Sequence, residues 1–295
     1  MRGIQIPDIA RKGARTTLAV MTAAKERLRT KVFFPAVYQR YAKDGQRIIF
    51  PALHYWRVGQ NFDSILLLNN SYSVMNPLCT GYARVKGRIY NADGRQIQKF
   101  DSEVEPFGTV VMRISNIVRC MGDGVLTATL FPPADFFEHR TASFDREEAH
   151  RTTAYMGYEL GQNISYVHNI ETAYIGDSLP ANPLVQRILV PFHSPRAVFM
   201  PNLSLPMKGM QSMEIIAINS ASRRRHLMIR VLVDGKVRAE SHKRTMPFEV
   251  LALRFVPRSE DSSKSLRLAT YLATGNAKPY FIVKYEGQEA TFHHS

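Results

Sequence analysis

The chain has 295 residues, 45% of them hydrophobic and 22% charged, with a formal net charge of +14. That composition belongs to a folded protein with room for two ordinary cores and excludes a disordered or low-complexity chain. No apolar run reaches the roughly 18–20 residues that a membrane-crossing helix needs, and the two cysteines, Cys79 and Cys120, make neither a disulfide framework nor a cysteine zinc site.

The charge is unevenly placed. Residues 1–44 carry 10 Lys/Arg against 3 Asp/Glu, residues 46–180 carry 12 against 14, and residues 181–295 carry 17 against 8. A near-neutral middle is thus flanked by two basic regions, which would concentrate anionic partners. In the first region Leu18, Met21, Ala24 and Leu28 recur at helical spacing, Lys25, Arg27, Arg29 and Lys31 crowd the polar side, and Pro35 should end the helix. Residues 1–44 therefore read as a basic helical arm that packs on its own domain, on a neighbouring subunit or on an anionic surface, with Lys25 and Arg29 as candidate contacts. Residues 16–24 have the order of a signal peptide, but their apolar part is short and leads straight into KERLRTK, so a retained arm is expected. The expected location is the cytoplasm, with peripheral attachment to a membrane through the arm. Secretion stays open.

From residue 45 the signals are those of short strands. Asp93-Gly94 and Asp234-Gly235 are hairpin turn signals, because glycine supplies the positive φ such turns require. They are related by a shift of 141 positions, and the same shift relates Pro106-Phe107 to Pro247-Phe248, Arg113 to Arg254, and Ala128-Thr129 to Ala269-Thr270. Ahead of these, ILLLNNS (65–71) matches IIAINSA (215–221) at 150. Behind them, GQNISYVHN (161–169) matches GQEATFHHS (287–295) at 126. The expectation is an all-β protein, a tandem duplication of a β-sandwich unit of immunoglobulin-like or jelly-roll type. The units are placed at 45–174 and 184–295, joined through the proline-bearing connection 175–183.

Candidate sites follow from these matches. His168 and His294 occupy equivalent positions near the ends of the two units, each beside an aromatic residue. His54 and His193 also look matched, but His54 lies three residues after Pro51 and His193 two after Pro191, so alternation puts them on opposite faces. Pairing of His54 with His168, or of His193 with His294, is the metal reading. It would need a third ligand, and no H-x-x-x-H, H-E-x-x-H or H-x-D spacing supplies one. No nucleophile elbow, phosphate loop or dinucleotide fingerprint is present.

The basic cluster Arg223, Arg224 and Arg225, in a tight turn, with Lys243 and Arg244 in the next loop, would make a compact point for phosphate or carboxylate. No aromatic side chains interleave it, which argues against nucleic acid. Trp56, Tyr55 and Tyr82 are candidate sugar-stacking rings. The function expected is that of a non-enzymatic binding, adaptor or assembly module that engages an acidic protein or an anionic membrane surface, needs no cofactor, and is compatible with a homo-oligomer. The alternatives are an enzyme using a divalent metal held by the duplicated histidines, and a carbohydrate-binding module.

Overall fold

The computed structural model describes residues 52–136, 154–171, 198–199, 205–220, 224–271 and 279–294, apart from positions 76, 132, 169 and 262. The arm at 1–44 with Lys25 and Arg29, the connection 175–183, His193 and Arg223 lie outside these residues. All described residues belong to one compact unit, Ile49–Ala181 together with His193–Ser295. Among them no helix is long and apolar enough to cross a membrane.

The chain is all-β, with four antiparallel sheets and two five-residue helices, α1 (Ser71–Met75) and α2 (Ile114–Val118). In the first half the strands are β1 (Ala52–Val58), β2 (Phe62–Asn69), β3 (Ala83–Asn91), β4 (Gln96–Val104), β5 (Thr109–Arg113), β6 (Gly122–Phe131), β7 (Ala154–Leu160), β8 (Asn163–His168) and β9 (Ile170–Glu171). The second half contributes β10 (Val198–Phe199), β11 (Met210–Ile218), β12 (Arg225–Val233), β13 (Lys236–Thr245), β14 (Val250–Phe255), β15 (Leu266–Tyr271), β16 (Tyr280–Tyr285) and β17 (Thr291–His294). Sheet I has the order β4-β3-β6-β1-β9 and sheet II the order β5-β2-β7-β8. Sheet III, β14-β11-β16-β17, repeats the order of sheet II, and sheet IV, β13-β12-β15-β10, repeats that of sheet I without its outermost strand.

Alternation explains which side chains go inside. In β3, Val85 and Ile89 are buried while Arg84, Lys86 and Arg88 are exposed. In β12, Leu227, Ile229, Val231 and Val233 are buried in the same way. The buried faces of sheets I and II share one hydrophobic cluster, and those of sheets III and IV share a second.

The pairing ladders refine the sequence alignment of the halves. Ile65 lies opposite Arg113 as Glu214 lies opposite Arg254, so β2 and β11 correspond at 149, not 150. Gly87 lies opposite Ala128 as Ile229 lies opposite Thr270, so β6 and β15 correspond at 142, not 141. A single-residue slip exchanges the two faces of a strand, so only the ladder fixes these registers. The residue equivalent to Asn219 is therefore Asn70. Asn70 Nδ2 donates to the carbonyls of Val104 at 3.1 Å and Glu105 at 3.2 Å, and Asn219 Nδ2 to those of Thr245 at 3.2 Å and Met246 at 2.8 Å. The match at 126 keeps its register: His168 lies opposite Tyr155 and His294 opposite Tyr280.

Of the two Asp-Gly turns, only one is a two-residue hairpin. Val233 pairs with Lys236 around Asp234 (φ 49°) and Gly235 (φ 76°), the positive pair of a type I′ turn. Gly94 (φ 77°) closes a longer loop in which Asn91 N donates to the Arg95 carbonyl.

The halves meet through the faces that sheets I and III turn away from their own cores. β1 is buried on both faces, and so is β11. Tyr55 lies 6.2 Å from both Tyr280 and Phe292, centroid to centroid, and Tyr90 stacks on Phe248 at 4.3 Å. Phe292 also stacks on Tyr158 at 3.6 Å. The loop of the first hairpin sits against the second half, with Val250 N donating to the Ala92 carbonyl at 2.9 Å. Ile216, Ile218, Tyr280 and Phe292 thus belong to the hydrophobic cluster of the first half.

Candidate functional site

Sheets I and IV share a strand order but differ in the charges on their outer faces. In sheet I, Arg84 faces Glu103 and Lys86 faces Asp101 across the β3–β4 ladder. Arg84 forms a two-pronged pair with Asp101, Nε to Oδ1 at 3.0 Å and Nη2 to Oδ2 at 2.6 Å, which holds the Asp101 carboxyl below its ordinary range. At the equivalent ladder positions of sheet IV, His226 faces Arg244 and Met228 faces His242. Both acids of the first half are replaced by bases. The His226 and His242 rings lie 5.7 Å apart, and His226, His242 and Arg244 are all exposed.

Neighbouring charges only partly answer this. Glu240 accepts from Arg230 Nε at 2.6 Å, which depresses its own pKa, and lies 3.4 Å from His242 Nδ1. Arg224, just ahead of β12, is exposed, and its Nε approaches the Met246 sulfur at 2.9 Å.

The predicted five-cation point is therefore not one point. Alternation turns Lys243 to the opposite face from Arg244. There its ammonium sits on Glu249, and this pairing raises the Lys243 pKa. The other carboxylate oxygen of Glu249 accepts from Met246 N at 2.6 Å. Arg225 is half-buried opposite Thr245, whose hydroxyl donates to the Arg225 carbonyl at 3.0 Å. Arg224 and Arg244 remain outward, with His226 and His242. The sequence motifs do not single out these two histidines, although alternation along HKR (242–244) already puts His242 on the face of Arg244.

The aromatic trio is not a sugar platform. Trp56 and Tyr55 are buried, with the Trp56 Nε1 donating to the Tyr90 carbonyl at 2.8 Å and Tyr55 facing Tyr280 and Phe292, so neither ring face is open to a sugar. Tyr82 is exposed and stands apart from them. His54 is buried in β1 opposite Leu126, on the face turned to the core. His168 lies opposite Tyr155 in sheet II, and His294 opposite Tyr280 in sheet III. Among the described residues no three of His, Cys, Asp and Glu gather as metal ligands would.

A second polar group, unmarked by any sequence motif, lies where sheets I and III meet. Tyr55 Oη donates to Asp123 Oδ2 at 3.0 Å, and Arg57 donates to Glu214 at 2.7 Å. Burial raises the Asp123 pKa.

No family model and no curated protein matches the chain. Among solved structures, the M60 catalytic domain with two CBM51 domains from Clostridium perfringens ZmpB aligns over 83% of this chain and 34% of its own, with 7% identity and a TM-score of 0.20. A glycoside hydrolase family 2 β-glucuronidase aligns over 82% and 23%, with 9% identity and a TM-score of 0.19. The Bacteroides uniformis β-glucuronidase gives 83% and 26%, 10% and 0.18. The chain spans about a third or less of those proteins, and likenesses this weak carry no argument about its fold or function.

Proposed function

We infer that this chain is a tandem duplication of a two-sheet β-sandwich unit that works as a binding and assembly module, engaging an anionic surface through the outer face of sheet IV. The repeated strand order and the shared shifts support the duplication. One observation carries the binding reading. The ladder positions of Asp101 and Glu103, which neutralise sheet I, hold His242 and Arg244 in sheet IV. At these positions no carboxylate stands opposite Arg244, and an external anion supplies the missing counter-charge. The N-terminal arm, with Lys25 and Arg29, adds to the same attraction in this reading.

The test is retention of the full chain on vesicles containing phosphatidylserine against neutral vesicles, with an acidic peptide column as the second arm. The expected result is salt-sensitive retention on an anionic support, lost stepwise in Arg244→Ser and Arg224→Ser/Arg244→Ser. Retention on the acidic peptide but not on vesicles assigns a protein partner. Equal behaviour on anionic and neutral supports overturns the reading.

A further inference from the structure

The meeting of the halves is heterologous: sheet III of the second unit covers sheet I of the first. Among the described residues this leaves two equivalent faces uncovered, the outer face of sheet II and that of sheet IV. The covered face of sheet III presents Ile216, Tyr280 and Phe292, which are 0%, 0% and 2% exposed. The ladder-equivalent positions on sheet II are Leu67, Tyr155 and Tyr166, and Tyr155 and Tyr166 are 38% and 58% exposed. An apolar face of this kind on a monomer marks an interaction surface.

Phe107 indicates the occupant. It adopts φ 58° with 60% exposure, and its equivalent Phe248 adopts φ 61°. A bulky side chain in the left-handed region is strained, and such strain persists where surrounding contacts compensate it. Phe248 has that contact, stacking on Tyr90 of sheet I. The equivalent of Tyr90 on sheet IV is Leu232, beside the turn at Asp234-Gly235, where a methyl group on Gly235 would meet nothing within 4 Å.

We propose that the outer face of sheet II docks on the outer face of sheet IV of a second copy of this chain, with Phe107 seated on Leu232 as Phe248 is seated on Tyr90. The geometry repeats head to tail, so the assembly grows as a ring or an open filament rather than stopping at a two-fold dimer. It rests on the reading of the chain as a duplication, and it leaves the anionic-partner surface free. His226 and Arg244 correspond to Arg84 and Glu103, at the end of sheet I away from Tyr90. Arg84 and Asp101 at that end stay about half exposed, at 55% and 47%.

Sedimentation of the full chain at rising concentration tests it. The wild type should give a series of species that grows with concentration, and Tyr166→Arg and Tyr155→Arg should remain single chains. Phe107→Asn should lose the series while melting no lower than wild type, because asparagine tolerates positive φ. Tyr166→Arg mixed with Leu232→Arg should give a species of two chains and nothing larger, since one open face survives on each. Arg267→Glu, at an exposed position of β15, replaces Leu232→Arg if that variant does not fold. Arg244→Ser should weaken vesicle retention and leave the series unchanged. A wild type that stays a single chain throughout, a dimer that does not grow, or a mixture that gives no two-chain species overturns the proposal.

Discussion

At the residue scale the seam between sheets I and III holds a carboxyl, Asp123, whose proton is coupled to folding. Burial raises the Asp123 pKa, so the folded protein keeps this proton at pH values where the unfolded chain has released it. The group therefore supports folding most at or below the ordinary carboxyl value near 4 and less as pH rises through its higher folded value. Asp123→Asn keeps an acceptor for the Tyr55 hydroxyl and removes the buried charge. Its melting temperature should exceed that of wild type at pH 7, with the gap closing toward pH 4. A variant less stable at pH 7 would mean that attraction to Arg57 outweighs burial. Tyr158 is a simpler case: its hydroxyl donates to the Tyr55 carbonyl at 2.6 Å inside the core. Tyr158→Phe should cost about 1 kcal/mol in urea unfolding, the typical net value of a buried hydrogen bond.

At the scale of elements, the device that starts β5 and β14 is an asparagine amide holding two successive carbonyls at the end of the preceding hairpin. Asn219→Ala removes two hydrogen bonds, although the Met246 carbonyl keeps the Glu249 amide, and should cost roughly 1–2 kcal/mol by denaturant titration. Asn70→Ala should behave alike, which also tests the 149 register against 150. The two turn glycines should part company. Gly235→Ala places a methyl in open space and costs only the left-handed backbone, about 1 kcal/mol. Gly94→Ala would also drive its methyl into the Pro247 carbonyl and loosen the contact between halves, so its loss should be clearly larger.

Much of this level was legible in the sequence. The Asp-Gly signals located the turns after β3 and β12, and the match of Pro106-Phe107 to Pro247-Phe248 falls on two turns that share a positive φ at phenylalanine. The register of β2 against β11 was not legible. Both strands carry continuous apolar runs, ILLL and IIAI, which lack the alternation that would have fixed it. The candidate site was half legible. Arg224 and Arg244 were named, whereas the neutralisation of Lys243 by Glu249 depends on a loop closure that no local pattern reports.

On the scale of the whole molecule, the two halves should melt as one. Phe292 of the second half is clasped by Tyr55, Tyr158 and Tyr280, and the first hydrophobic cluster includes residues of both halves. Trp56 fluorescence and far-ultraviolet circular dichroism should therefore report a single, coincident transition. Phe292→Ala should lower that transition by about 3–5 kcal/mol, the usual range for removing a buried aromatic ring. Two separated transitions in the wild type would contradict a shared core.

By itself the sequence determined that the chain is built of short strands with a recurring set of turns, and that its excess charge gathers in the first and last thirds. These follow from local chemistry: side-chain alternation, positive-φ glycines and the count of ionisable groups. Only the tertiary structure decided which face each strand buries, which histidines stand beside Arg244, and which aromatic rings are shut inside. Those outcomes depend on pairing between residues distant along the chain, where a shift of one position exchanges core for surface.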